Sequence, residues 1–262
     1  MTDFLKFNSY GVQKILYLDS VESTNNYAKT LAGEDNVLII AKQQLAGRGR
    51  FNREWKSEKY KNITFSLVKL LNIKDVHLVN FYTSYIVQRA MKEYMFNLFP
   101  DTNTDEIFKL KWPNDILLKG KKVSGILSEI ISFNDTPKKF IIGIGINVNQ
   151  ETFPEDISHK AISLYNYFNT EIPVYDLINT IIKYFYENIT LLEQGDILME
   201  LWRMNSDIDG KNVRFRTNDK EDEISGQIIG VQDDGSIKIK ISDNSNSKNI
   251  YTFYSGEISF IY

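Results

Sequence analysis

Apolar positions along the chain fall into two textures, which change near residue 208. In the first, Lys14–Leu18, Val37–Ala41 and Ile63–Val68 are aliphatic and β-branched runs that predict strands. Tyr27–Ala32 has helical spacing, follows Ser23-Thr24-Asn25 and is stopped by Gly33. Leu78, Val79, Tyr82, Tyr85, Ile86, Met91, Tyr94 and Met95 recur near the helical period and predict one long helix lying on a sheet. Further strands are expected over Phe108–Trp112 running into Ile116–Leu118, over Val123–Ser132 and over Phe140–Val148, with turns at Gly120 and Asn134-Asp135. Val174–Leu192 is helical in spacing, with Pro173 before it and Gly195 beyond it. After Asp209-Gly210 only short alternating runs remain: Val213–Arg216, Ser225–Val231, Ile237–Ile241 and Asn249–Tyr254, set between acidic, Asn- and Gly-rich turns. Such runs predict a small β-barrel. The pattern as a whole predicts an α+β chain, with a mixed-sheet domain over residues 1–208 and a β module over 209–262.

Composition narrows the chemistry. Apolar residues make up 42% of the 262 and aromatic residues 13%, enough for a sizeable core and against disorder. There is no cysteine, which excludes disulfides, thiolate zinc, iron–sulfur clusters and a covalent thioester mechanism. His77 and His159 are the only imidazoles, too few for a multi-histidine metal centre. No basic-then-apolar leader opens the chain, and no uncharged apolar run approaches the ~20 residues that span a bilayer. A cytoplasmic protein without a membrane partner is expected. The net charge of −3 supplies no global field for nucleic acid.

That charge is unevenly distributed. Between Lys42 and Lys61 there are seven basic residues and two acidic ones, so this window is +5 and the remainder of the chain −8. The window reads as a long polar loop, and a local cluster of cations on an acidic protein suits a small anion. Gly47 and Gly49 permit close backbone approach, while Arg48, Arg50 and Arg53 offer planar forks to carboxylate or phosphate. Their mutual repulsion predicts a loop that orders on an anion. A solvated flexible loop, or an arginine–glycine patch for RNA, fits the segment equally well.

Four further segments carry candidate chemistry. In Lys111-Trp112-Pro113-Asn114-Asp115, Pro113 ends a strand ladder and releases Asn114 and Asp115 at the sheet's edge, where Asp115 is an oxygen donor for a Mg²⁺ ion; an ordinary hairpin turn reads the same way. Lys121-Lys122 is a basic turn leading into a strand broken by Gly125. Gly143-Ile144-Gly145-Ile146-Asn147 lacks the helix a dinucleotide fingerprint requires, so its glycines are expected to make room for a ligand beside Asn147. Ser23-Thr24-Asn25 is either a helix cap or a polar cluster aimed at a small molecule.

In this order the segments Glu22–Asn25, Gln44–Arg50, Lys111–Asp115, Lys122–Leu127 and Gly143–Asn147 resemble the biotin–protein ligases, and the likeness spans about residues 14–262. The resemblance implies a catalytic domain like the class II aminoacyl-tRNA synthetase core, followed by an SH3-like barrel. It implies a two-step reaction: biotin and Mg·ATP give biotinyl-AMP and pyrophosphate, and a lysine of the biotin carrier domain of a biotin-dependent carboxylase then takes the biotinyl group. Ser23, Thr24, Asn25, Gln44, Gly47, Arg48, Gly49, Arg50, Lys122 and Gly125 would surround biotin. Arg50, Arg53, Trp55, Lys111, Asn114, Asp115, Lys122 and Asn147 would face ATP, Asp115 with the metal. Lys122, Arg50 and Arg48 would carry the catalysis. Phe51 and Asn52 depart from the basic residue and glycine frequent in the family. The 22 residues ahead of Ser23 are too few for the winged-helix DNA-binding domain of some members, so no DNA is expected as a partner, and the chain would act as a monomer or homodimer. A lipoate or octanoate ligase of the same fold, and a non-enzymatic RNA-binding module, are the other readings.

Overall fold

A computed structural model of the protein describes residues 10–31, 33–132, 136–217, 223–242 and 248–261. Seven strands form one mixed sheet: β1 (Lys14–Leu18), β2 (Val37–Ala41), β3 (Ile63–Leu71), β4 (Phe108–Lys111), β5 (Asp115–Leu118), β6 (Lys121–Ser132) and β7 (Lys138–Ile146), in the order β1-β2-β3-β7-β6-β5-β4. Only β1 and β2 run parallel, joined by the short helix α1 (Thr24–Lys29); the other pairs are antiparallel. Between Arg50 and Asn52 the chain makes a 3-10 turn. The expected turn at Asn134-Asp135 lies outside the described residues.

The central strands alternate, and their two faces meet different fates. Phe65, Leu67, Ile126, Ile142, Ile144 and Ile146 belong to the main core together with α2 (Leu78–Leu98) and α6 (Val174–Glu187). On the other face, Ala28 of α1 closes a small cluster with Val37, Ile39, Val68 and Ile141. Beyond that cluster the same face carries Thr64 and Ser66 of β3, paired with Gly145 and Gly143 of β7, and Gly145 is paired in turn with Gly125 of β6. A strip this poor in side chains cannot bury itself. It forms the floor of a cavity.

The C-terminal half of the domain differs from the sequence reading in one respect. Gly195 lies beyond α6 as expected, but the last part of the predicted helix, Ile189–Glu193, is a 3-10 turn, and Gly195 opens a further helix, α7 (Gly195–Met204), counted after the short helices α3 (Thr104–Ile107), α4 (Glu155–Ser158) and α5 (Leu164–Phe168). The glycine is there for packing, since a Cβ on it would stand 3.1 Å from Leu78 of α2. Leu198, Met199 and Trp202 share the buried face of α7.

A second sheet follows. β8 (Asn212–Arg216), β9 (Ile224–Val231), β10 (Ile237–Ser242), β11 (Lys248–Phe253) and β12 (Glu257–Phe260) are antiparallel in the order β11-β10-β9-β8-β12. The last of these has no counterpart among the predicted strands. Among the described residues no helix is long and apolar enough to cross a membrane.

Trp202 is fully buried, meets Phe81 edge-on at 5.2 Å and donates its indole N–H to Ser84 Oγ at 3.0 Å. Trp202→Ala should lower stability by about 3–5 kcal/mol, the usual result of emptying a large aromatic site. Urea unfolding followed by circular dichroism measures it.

Candidate active site

The cavity above the small-residue floor measures about 1250 Å³ and draws its walls from both sheets. Twelve Lys and Arg residues and five acidic ones line it, on a chain whose net charge is −3. All the candidate residues read from the sequence border it except Gly47.

The end nearest α1 is neutral. Ser23 caps α1, its Oγ accepting from Asn26 N–H, so the capping reading of this triad holds. Gln44 Oε1 accepts from Thr24 N–H at 2.8 Å and from Thr24 Oγ at 3.1 Å. Asn25 is buried and donates to Leu127 O and Glu129, while its Oδ1 accepts from Ser66 Oγ at 2.6 Å. Gly143 makes this possible: a Cβ there would fall 2.2 Å from Asn25 Oδ1. The glycine therefore admits a side chain of the protein itself, a correction to the expectation that it makes room directly for a ligand.

The arginine loop is a hairpin. Gly49 N–H donates to Arg53 O at 2.7 Å and Trp55 N–H to Gly47 O at 2.8 Å. Gly47 serves that closure: an added Cβ would fall 2.4 Å from Trp55 O, and the residue does not line the cavity. The repulsion expected among the loop's cations is relieved by carboxylates from elsewhere. Arg48 reaches Asn26 at 2.9 Å and Glu129 at 3.4 Å. Arg53 pairs with Glu257, and Arg50 donates to Gly256 O at 3.2 Å. The expected role of Arg48 in catalysis is thus at odds with its partners at the cavity rim. Phe51 takes the left-handed backbone region (φ 56°), with the Arg50 guanidinium 4.6 Å from its ring centre.

At the cationic end, a single inserted residue decides the geometry. Ile116 pairs with Ser124 but Leu117 with Lys122, so β6 bulges at Val123. The bulge brings Lys122 onto the face of Gly125, opposite to where plain alternation would send it. Lys122 backbone is also clamped, accepting from Ile162 N–H at 3.0 Å and donating to Lys160 O at 2.8 Å. Lys122 thus belongs to a strand; the turn before it is Lys119-Gly120, both with positive φ. Its Nζ lies 2.6 Å from Asp115 Oδ1. Asp115 also faces Lys111 and Arg50. Burial pushes the Lys111 ammonium below its usual pKa, and Asp115 and Glu257 oppose that shift. A carboxylate already held by Lys122 and flanked by two more cations does not fit a magnesium ligand, and no group of three or more acidic or histidine side chains gathers among the described residues. Asp115 is assigned to Lys122 instead.

Two further cavity residues are tied to backbone. Asn114 donates its amide to Ile126 O, and Asn147 donates to Ile162 O at 3.2 Å and Lys122 O at 3.5 Å. Both amide nitrogens hold backbone in place. Sequence reasoning missed Glu129 and Glu257. A lone acid within the apolar run of β6 is a usable signal for Glu129; burial there would raise its pKa, but Lys29, Asn25 and Arg48 outweigh that and hold the carboxyl below its usual range. Nothing local marks Glu257.

Trp55 lies across the glycine floor. A Cβ on Gly145 would fall 2.5 Å from its ring, and one on Gly125 would fall 3.2 Å from it and 3.0 Å from Lys122 Nζ. Its indole nitrogen is buried without a partner. A buried N–H without an acceptor costs about 1–3 kcal/mol, so this donor favours a ligand that brings an acceptor to it. Gly145→Ala should drive Trp55 off its seat in the free protein. Trp112 and Trp202 are 1% and 0% exposed, so a red shift of tryptophan emission would report Trp55 alone; an unchanged spectrum would place the ring elsewhere.

Comparison with known proteins agrees with this geometry. The sequence profile of the biotin/lipoate A/B protein ligase family matches residues 17–147. The chain is 31% identical over 250 residues to the bifunctional ligase/repressor BirA of Bacillus spizizenii, covering 92% of this chain and 73% of that one. It is 33% identical over 133 residues to the biotin–[acetyl-CoA-carboxylase] ligase of Mycobacterium tuberculosis, covering 50% and 45%. The structure of the Aquifex aeolicus biotin protein ligase in complex with biotin and ATP superposes with a TM-score of 0.73 at 28% identity, over 95% of this chain and 99% of that one. On the profile match and the relative that is 31% identical across most of its length, the chain belongs to the biotin/lipoate A/B protein ligase family.

Proposed function

We infer that the protein activates biotin with ATP and transfers it to a lysine of a carrier domain. The observation that carries this is the polarity of a single cavity: a neutral, hydrogen-bonding end at Ser23, Thr24 and Gln44, and a cationic end at Lys122, Lys111, Arg50 and Arg53. A ureido ring and a carboxylate on one chain match those ends. The substrate carboxylate is ionised at neutral pH, so no nucleophile of the protein is needed. The residues have to bring this anion against a triphosphate, which fixed cations in a partly dry site accomplish.

In the first step a carboxylate oxygen attacks the α-phosphorus of Mg·ATP, the bond to the bridging oxygen breaks, and pyrophosphate leaves. Magnesium enters with the nucleotide as part of the substrate. Lys122 steadies the charge shared by the carboxylate and the α-phosphate, and Asp115 aims it. Arg53 and Lys111 take the outer phosphates, and Arg50 lies over the acyl-phosphate. Trp55 covers the adenylate from the glycine floor. In the second step the neutral amine of the acceptor lysine attacks the acyl carbon and AMP leaves. The chemistry rests on residues 1–208, with residues 209–262 adding the wall that carries Glu257. The relatives named above are biotin ligases, which favours biotin over lipoate or octanoate as the acid.

Labelled pyrophosphate should enter ATP only when biotin and Mg²⁺ are both present; equal exchange with lipoate, or none with either acid, would reject the reading. Lys122→Ala should slow that exchange by about a hundredfold, the scale for losing one donor to transition-state charge. Its unfolding free energy should fall by no more than about 1 kcal/mol, the scale of a half-exposed ion pair. Near-normal exchange would remove Lys122 from the chemistry.

A further inference from the structure

Of the five side chains in Lys111-Trp112-Pro113-Asn114-Asp115, Trp112 has no part in the reaction above. Its indole is 1% exposed, and Nε1–H donates to Gly235 O at 2.9 Å. Gly235 sits in the turn between β9 and β10, on the C-terminal sheet. The turn is tight: Gln232 N–H donates to Ser236 O at 2.8 Å, and Gly235 N–H to Gln232 O at 2.9 Å. Gly235 has φ +76°, and a Cβ on it would fall 2.7 Å from Phe81 and 3.0 Å from His77, at the start of α2. Arg203 of α7 holds the same turn, donating to Asp233 at 2.7 Å and to Val231 O at 3.2 Å. The tip of the C-terminal sheet is thus seated in a socket formed by α2, α7 and the tryptophan of the β4–β5 turn. Phe215 of β8 packs on the same indole, with ring centres 6.4 Å apart.

The opposite end of this sheet reaches the cavity. Glu257 of β12 pairs with Arg53 and Arg216, Gly256 O accepts from Arg50, and the Phe260 ring lies 5.7 Å from Lys111 Nζ. Lys111 and Trp112 are adjacent, so one short turn contacts both the seat of the sheet and the surface it presents to the site. We propose that Trp112 is a positioning residue: by holding Gly235 it sets where the C-terminal sheet stands, and thereby where Arg50, Arg53 and Lys111 are held for the nucleotide. Trp112 also borders the cavity. Among the described residues its one side-chain hydrogen bond points the other way, to Gly235 O.

The proposal rests on the ligase reading for its kinetic test and is independent of it for its structural one. Trp112→Phe keeps an aromatic ring and deletes the N–H, leaving Gly235 O buried without its donor. Gly235→Ala attacks the same joint from the other side, at a residue that does not border the cavity. In the free protein, both variants should release the loop, and trypsin should cut after Arg50 or Arg53 about tenfold faster, the scale for a lost buried hydrogen bond. In pyrophosphate exchange both should raise the KM for ATP by about tenfold with kcat changed less than twofold, and biotin affinity without ATP should stay as in the parent. Because they break one joint, the double variant should do no more than either single one. Circular dichroism confirms that each variant folds. Unchanged trypsin cutting in folded Trp112→Phe overturns the proposal whether or not the protein turns out to use biotin. So does additivity of the two substitutions, or a fall in biotin affinity matching the rise in KM, which would put Trp112 within the site itself. If the parent shows no biotin-dependent exchange, the ligase reading fails while the proteolysis result still decides the joint.

Discussion

Mutual repulsion among cations is the constraint on which the rest of this structure depends. Two unit charges about 4 Å apart repel by about 4 kcal/mol where the effective dielectric constant is ~20. With twelve cationic residues facing one cavity, such terms would spread the arginine loop and turn Lys122 outward. Three carboxylates prevent it, each from a different strand: Glu129 of β6 beside Arg48, Asp115 of β5 beside Lys122, and Glu257 of β12 beside Arg53. Their number is too small to neutralise the cavity. The residual positive charge is what an anionic substrate meets, and the partial pairing holds the cations ready for it without reorganisation.

Holding cations in place is useful only if the floor lets a ligand approach them. Gly125, Gly143 and Gly145 lie on adjoining strands in direct register, beside Ser66 and Thr64. The protein spends one part of this space on Asn25 and covers another with Trp55, whose nitrogen has no partner. The first occupant is fixed by three hydrogen bonds; the second carries an unmet donor. That difference separates a structural use of glycine from a binding one.

The C-terminal sheet meets the residues of the first sheet's domain through partners far apart in sequence. Arg53 and Glu257 are separated by 204 positions, and Trp112 and Gly235 by 123. The two contacts lie at opposite ends of the sheet, so the module acts as one wall of the cavity with its own seat.

Much of this was legible in the sequence, because strands and helices announce themselves through local period. The strands of the mixed sheet (with β4 and β5 read as one run), α2 and four of the five strands of the second sheet follow from apolar spacing, and the loop's charge from counting. The family motifs named residues that share one cavity, since a polar cluster at the end of an apolar run must find a place where it is not buried alone. What the sequence left open is whatever depends on non-local partners. The contact of Gly195 with Leu78 of α2, and the carbonyls of Ile126 and Ile162 that take up the amides of Asn114 and Asn147, leave no mark on local spacing. The bulge at Val123, which alone brings Lys122 to the face of Gly125, is set by pairing with β5. Residue types and local period determined which groups this protein carries; tertiary pairing decided which of them face the cavity, because a side chain's partner, and with it the sign of its contribution, is chosen only when distant strands come into register.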